Sequence, residues 1–232
     1  MEGNFSPIGL ERKKSAQAAV FRMMYIWMSL ALALTGFTAM IISDNERIMY
    51  TLMSNTSILW GIIIAEIALV LILASMLHRM SLGIATVAFI VYSILNGVSM
   101  STLFLVYTKE SIALTFFVTA GTFGATSIYG FLTKKDLSSM GSIMLMAILG
   151  LIIASIVNIF MGSSILYWII TYAGVLIFVG LTAYDTQKFK NAIYNGDTSE
   201  STYKLALMGA LELYLDFVNM FIHLLRILGN RR

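Results

Sequence analysis

The sequence contains no cysteine and a single proline, Pro7. Without thiols there are no disulfides, zinc–thiolate centres or cysteine nucleophiles. With its one proline ahead of the first apolar run, the chain has no proline-kinked span. Charge is scarce as well: Asp, Glu, Lys and Arg make up 12% of the 232 residues, roughly half the ~25% usual in soluble domains. In their place stand 59% hydrophobic residues and a mean hydropathy of +0.85. A water-soluble fold has no means of covering so much apolar surface. A spanning helix takes about 20 apolar residues, so the chain accommodates six or seven spans joined by short connections. The expected fold is an all-α integral membrane bundle.

Apolar runs fall at 24–43, 57–77, 82–107, 111–132, 141–161, 163–184 and 205–228. Seven spans divide the chain into an amino-terminal tail (1–22), a membrane domain (23–229) and a carboxyl tail (230–232). The connection from Asp185 to Lys204 is the one long polar loop. The first apolar run is too long for a signal-peptide core and lacks a small-residue cleavage site, so it is expected to remain as a span. Net charge is +3, but the basic residues sit almost wholly between spans, where they set topology and do not point to nucleic acid. With the amino terminus in the cytoplasm, ten Lys and Arg lie inside and two, Arg47 and Lys109, outside. Arg231 and Arg232 then fall outside, against the rule. The lack of cysteine and the short tails point to a bacterial plasma (inner) membrane.

An ionisable group inside a span costs several kcal/mol unless paired or hydrated, which makes each one a functional candidate. Glu66 lies near the middle of span two. Span seven carries Glu212, Asp216, Asn219, His223 and Arg226 at intervals of 4, 3, 4 and 3 residues, which places all five on one helix face. The polar stripe rises over ~20 Å and is expected to face the bundle or water. Leu213, Leu215, Phe217, Phe221, Leu224 and Leu228 are expected on the opposite face. Such a stripe also serves as glue between helices, the role expected of Asn219. Two carboxylates one turn apart repel unless a proton or cation intervenes. Asp185 closes span six and, by topology, shares a membrane face with Arg79. A cluster of Arg79, Asp185 and Asp216 is therefore geometrically allowed, with Glu66 deeper. Small and hydroxyl residues of spans three and four, including Ser93, Asn96, Gly97, Gly121, Gly124 and Ser127, are expected to permit close helix packing.

The segments FVGLTAYDTQKFK in span six and MGALELYLDFVNMFIHLLRILG in span seven, with NGVSMSTLFLVYT and TSIYGFLTKKDLSSMG earlier, resemble the transmembrane Bax inhibitor motif family from about residue 20 to the end. The resemblance implies seven helices with the last one central, and a pH-sensitive calcium leak channel. It further implies a sensor pair at Asp185 and Asp216, a span-two arginine latch for which Arg79 is the candidate, and a contribution from the span-two Glu66. Glu212, Asn219 and His223 extend the expected ion path. Calcium takes 6–8 oxygen ligands. Asp185, Asp216 and Glu66 supply part of such a shell, as suits passage better than tight binding.

Two carboxylates in a low-dielectric site do not readily ionise together, so the pair is expected to share a proton and titrate as a unit. With the proton shared, spans six and seven are held together; without it they repel. The expected partners are the bilayer, calcium ions and protons, with no cofactor and no enzymatic activity. A retinal protein needs a mid-span lysine, and Lys204 is at an edge. A b-type haem needs two histidines at one depth, whereas His78 and His223 lie near opposite faces. An aspartyl intramembrane protease would use the same two aspartates, but the flanking motifs differ. A proton-coupled transporter and a regulator that binds a membrane partner such as a protease remain as alternatives.

Overall fold

The computed structural model describes the backbone of residues 7–192 and 200–232 and the side chains of 15–192 and 202–232. The helices are α1 (Pro7–Ser43), α2 (Glu46–Ser54), α3 (Thr56–Met76), α4 (Leu82–Ser101), α5 (Leu103–Val106), α6 (Lys109–Leu132), α7 (Ser138–Met161), α8 (Ser164–Ala192) and α9 (Glu200–Leu228), with a 3-10 turn at Leu77–Arg79. Seven stretches are long and apolar enough to cross a membrane: Ser15–Ser43, Thr56–Arg79, Leu82–Val106, Lys109–Leu132, Ser138–Met161, Ser164–Ala192 and Thr202–Leu228. Large apolar side chains lie bare along them, Phe160 being 85% exposed. Only hydrocarbon makes such surfaces tolerable, and helices suit it because their interior backbone groups need no water.

Short polar residues punctuate the connections. Asn45, Asn55, Ser81 and Thr108 accept from the backbone N–H of Ile48, Ser57, Ile84 and Ser111 and so cap α2, α3, α4 and α6. Gly162 ends α7 at φ 60°, the left-handed conformation that favours glycine. The short α2 was not foreseen from the apolar runs. It forms because Asn45 caps it, Glu46 sits in its first turn and it buries Met49 and Leu52.

The polar connection expected from Asp185 to Lys204 proves helical at both ends. α8 continues to Ala192 and α9 begins at Glu200, while residues 193–199 lie outside the described residues. Burial of Thr186, Gln187 and Phe189 carries α8 past its apolar run. Asp185 therefore stands about two turns inside the helix. Of the tail expected over 1–22, residues 1–6 lie outside the described residues, and from Pro7 onward the chain is helix.

The chain forms two compact units. The first takes in the chain to Val106 together with Ala192–Leu211. Here α1 packs on α4: the Thr35 hydroxyl lies 2.9 Å from the carbonyls of both Ala31 and Ser93, and Gly97 leaves room for Thr38. Helix α3 also packs on α4. The second unit takes in Tyr107–Asn191 and Glu212–Arg232. Here α6 approaches α8 so closely that a Cβ on Gly130 would overlap the Ala183 carbonyl. α7 meets α8 where Gly141 accepts the Tyr184 ring. Phe217 of α9 packs between Phe116 and Phe123 of α6, with ring centroids 5.4 and 5.6 Å away. Small residues thus set the helix spacing, as expected for Gly97 and Ser93. Gly121 and Gly124 differ: nothing lies within 4 Å of a Cβ at either position.

That contrast is testable. Gly130→Ala is expected to destabilise the protein by about 2 kcal/mol, since the obstacle is backbone and overpacking costs 1–3. Gly124→Ala is expected to leave stability unchanged or raise it slightly. Thermal unfolding in detergent measures both, and equal midpoints for the two variants would refute the packing assignment.

Candidate functional site

Helix α9 is the most enclosed of the spans: 61% of its apolar stretch is buried, against 39% or less in each of the others. Every residue from Lys204 to Ile227 is buried or half-buried. The stripe residues and the supposedly opposite Leu213 and Phe217 are covered alike. An amphipathic reading of the sequence saw one protected face, whereas the packing protects both.

Within the second unit, α8 and α9 bring together three carboxylates and a lysine. Asp185 is 7% exposed and Asp216 4%. The charges of Asp185 and Glu212 both bear on Asp216, and the Thr182 hydroxyl is set against the same carboxylate. Asp216 Oδ2 is buried with no hydrogen-bond partner. Lys188 Nζ donates to Glu212 Oε2 at 2.5 Å and stands 4.0 Å from Asp185 Oδ1. Being 41% exposed, this lysine meets solvent at the mouth of the cluster while Asp216 lies at its sealed end. Sequence reasoning counted Lys188 only for topology. Its place three residues after Asp185, on the same helix face, was the available signal.

The residues around Asp185 are gripped from one side by the segment 126–141. Ser127 Oγ and Thr186 Oγ1 share a hydrogen bond of 2.9 Å. Gly130 lies against Ala183, and Gly141 against Tyr184. The Gln187 amide spans the loop between α6 and α7, accepting from Leu137 N–H and donating to the Lys135 carbonyl, both at 2.8 Å. Lys190 Nζ donates to the Phe131 carbonyl at the end of α6. Four consecutive positions from Ala183 to Thr186, and Gln187 beyond them, are thereby fixed in rotation, Asp185 among them. In the same loop Asp136 accepts from Ser138 N–H at 2.9 Å. Hydrogen bonds from the Ser138 side chain and backbone hold its carboxyl below the usual range. It therefore stays ionised, and this favourable contribution is lost only as pH falls through the lowered value.

Further along α9, the Asn219 side chain donates to Leu215 O of its own helix at 2.8 Å, a bond made within α9 and not to a neighbour. His223 is buried, seated where Gly174 lacks a side chain and stacked on Phe178 at 6.0 Å. Its Nδ1 has no partner.

Glu66 and Arg79 belong to the first unit. Both Glu66 oxygens are engaged by α4: Asn96 Nδ2 donates to Oε1, and Ser99 Oγ donates to Oε2 at 2.7 Å. Arg79 is exposed at the end of the 3-10 turn, its Nε donating to His78 Nε2 at 3.2 Å. Among the described residues no group of three His, Cys, Asp or Glu could hold a metal ion. Glu66, expected to act with Asp185 and Asp216 on calcium, is held instead by Asn96 and Ser99.

Replacing Gln187 with Met leaves the buried Leu137 N–H unpaired, a loss of about 1–3 kcal/mol. Hydrogen exchange at the Leu137 amide is expected to accelerate about tenfold or more. An unchanged rate would mean that the amide does not hold the loop.

The family model described as "Inhibitor of apoptosis-promoting Bax1" matches residues 17–232. The inner membrane protein YbhL of Escherichia coli K12 is 49% identical over 211 residues, covering 90% of each chain. A protein of Rickettsia prowazekii is 46% identical over 209 residues, 90% of this chain and 88% of the relative. A membrane protein of Streptococcus pyogenes serotype M1 is 35% identical over 211 residues, covering 90% and 91%. With a family match that takes in all seven spans and the whole carboxylate cluster, the chain belongs to the Bax inhibitor family and is an integral membrane protein.

Proposed function

We propose that this protein is a pH-sensitive calcium leak channel of the bacterial inner membrane, with the carboxylates of α8 and α9 as its gate. The observation that carries the proposal is Asp216: a carboxylate 4% exposed, one oxygen without a donor, under the charges of Asp185 and Glu212. A carboxyl group in that setting either keeps a proton or, once ionised, needs a cation. A proton shared between the aspartates lets them hydrogen-bond and holds α8 to α9. When it leaves, like charges repel, the helices part and the bared oxygens take a partly hydrated calcium ion. Lys188, bonded to Glu212 at the exposed rim, competes with the incoming cation and keeps binding weak.

The distribution of basic residues supports an amino terminus in the cytoplasm, an orientation that has the Lys188 rim on the cytoplasmic side. The latch role of Arg79 and the path role of Glu66 rest on the family resemblance. The two donors on Glu66 favour a part in joining α3 to α4. A proton-coupled transporter would use the same aspartates. It is favoured by one further observation, the unpartnered Nδ1 of buried His223 on the same helix.

Purified protein in liposomes loaded with a calcium dye is expected to admit calcium at a rate that changes between about pH 6 and 8. Asp216→Asn and Asp185→Asn are each expected to flatten that profile, because neither can share an ionisable proton across the pair. Calcium entry indistinguishable from empty liposomes at every pH sinks the channel. Saturable flux that requires a proton gradient selects the transporter.

A further inference from the structure

At the end of the second unit where α9 finishes lies a cleft that the carboxylate cluster does not use. Its volume is about 590 Å³, and the turn between α7 and α8 borders it together with the last residues of α9. Arg226 and Arg231 both line it, beside Tyr167, Trp168, Ser163 and Asn158. Tyr167 meets both arginines: the Arg226 guanidinium lies 5.6 Å from the centre of its ring, and Arg231 Nη2 donates to its hydroxyl at 3.2 Å, while Arg231 is also hydrogen-bonded to Tyr107. The lining contains no Asp or Glu. Among the described residues neither arginine has a carboxylate partner. Ser163, just ahead of α8, accepts from Leu166 N–H at 3.3 Å, and the formal charge of the cleft lining is that of the two guanidinium groups.

Two guanidinium groups without a counter-ion, one of them half-buried at Arg226, favour an anion with several oxygens. Their planar donors match phosphate in particular. The surroundings indicate what carries that phosphate. The rings of Tyr167, Trp168 and Tyr172 run along the start of α8, with centroids 5.6 and 5.8 Å apart in turn. Trp168 and Tyr172 are exposed, as are Ile165 and Ile169 on the same helix. Exposed aromatics at the beginning of a span mark the boundary between hydrocarbon and water, and exposed isoleucines beside them require acyl chains. An occupant of the cleft meets lipid on one side and water on the other. We propose that the cleft binds the headgroup of an anionic phospholipid, with Arg226 and Arg231 on the phosphate and Trp168 at the edge of the acyl chains.

Native mass spectrometry of the full chain released from detergent micelles tests this, with phosphatidylglycerol and phosphatidylcholine of equal chain length as probes. The wild type is expected to retain one phosphatidylglycerol in preference to phosphatidylcholine by on the order of tenfold. The preference falls to parity in R226Q/R231Q and partway in R231Q. Arg231 is exposed, so R231Q keeps the test decisive should the double variant not fold. R232Q removes the same charge from outside the cleft lining and is expected to keep the preference. A preference that survives in R226Q/R231Q, or that R232Q abolishes equally, overturns the site. Millimolar inorganic phosphate is expected to leave lipid retention intact. Phosphate that displaces the lipid would assign the cleft to a free anion and overturn the lipid reading.

Discussion

Hydrocarbon offers no hydrogen-bond partner to a carboxylate, so any acid placed at membrane depth has to be surrounded by protein. In this protein α8 and α9 carry that requirement. Asp185 and Asp216 are buried, whereas in each span other than α8 and α9 a third or less of the apolar stretch is buried. The segment 126–141 makes this workable. Gly130 lets α6 approach the Ala183 backbone, Ser127 bonds Thr186, and Gln187 ties down the loop between α6 and α7. With its neighbours clamped on both sides in sequence, Asp185 cannot rotate toward lipid.

The two units handle intramembrane carboxylates in opposite ways. Glu66, in the first, receives a donor on each oxygen from Asn96 and Ser99 and joins α3 to α4. Asp216, in the second, keeps a buried oxygen with no donor at all. A buried polar group that is satisfied stabilises a fixed arrangement. One left unsatisfied makes its arrangement sensitive to whatever proton or cation supplies the missing bond. On the proposed function, that difference, more than depth or charge alone, separates an acid that builds the fold from one suited to switching it. His223, seated on Gly174 with its Nδ1 unpartnered, belongs with the second kind.

The carboxylate cluster and the arginine cleft stand near opposite ends of the helical stretch from Glu212 to Arg226. At one end Lys188 meets solvent beside Glu212. At the other, Tyr167 meets Arg226 and Arg231 without an acid among the cleft-lining residues. A single enclosed helix thus carries negative charge toward its beginning and positive charge toward its end. This is the favourable sense for its dipole, although the acids lie beyond the first turn, where that effect is strongest.

Composition and hydropathy by themselves determined that the chain crosses a bilayer as seven helices, because only lipid accommodates so many apolar residues with so few charges. The 4, 3, 4, 3 spacing of Glu212, Asp216, Asn219, His223 and Arg226 likewise marked α9 as a protected helix, since hydrocarbon rejects such a stripe wherever it lies. Period and composition are local properties, and both can be read along one strand of text. The roles of the individual groups were not legible in that way. Lys188 looked like a topology signal, Glu66 like a member of the ion path and Asn219 like glue between helices, while the short α2 and the length of α8 went unseen. Each of these depends on which atom of a distant residue arrives within about 3 Å. The glycines make the point most directly: Gly124 and Gly130 are alike in sequence, six residues apart on one helix, yet one faces open space and the other the backbone of Ala183. Only the packing of α6 against α8 distinguishes them, because steric exclusion acts between surfaces and is absent until both are in place.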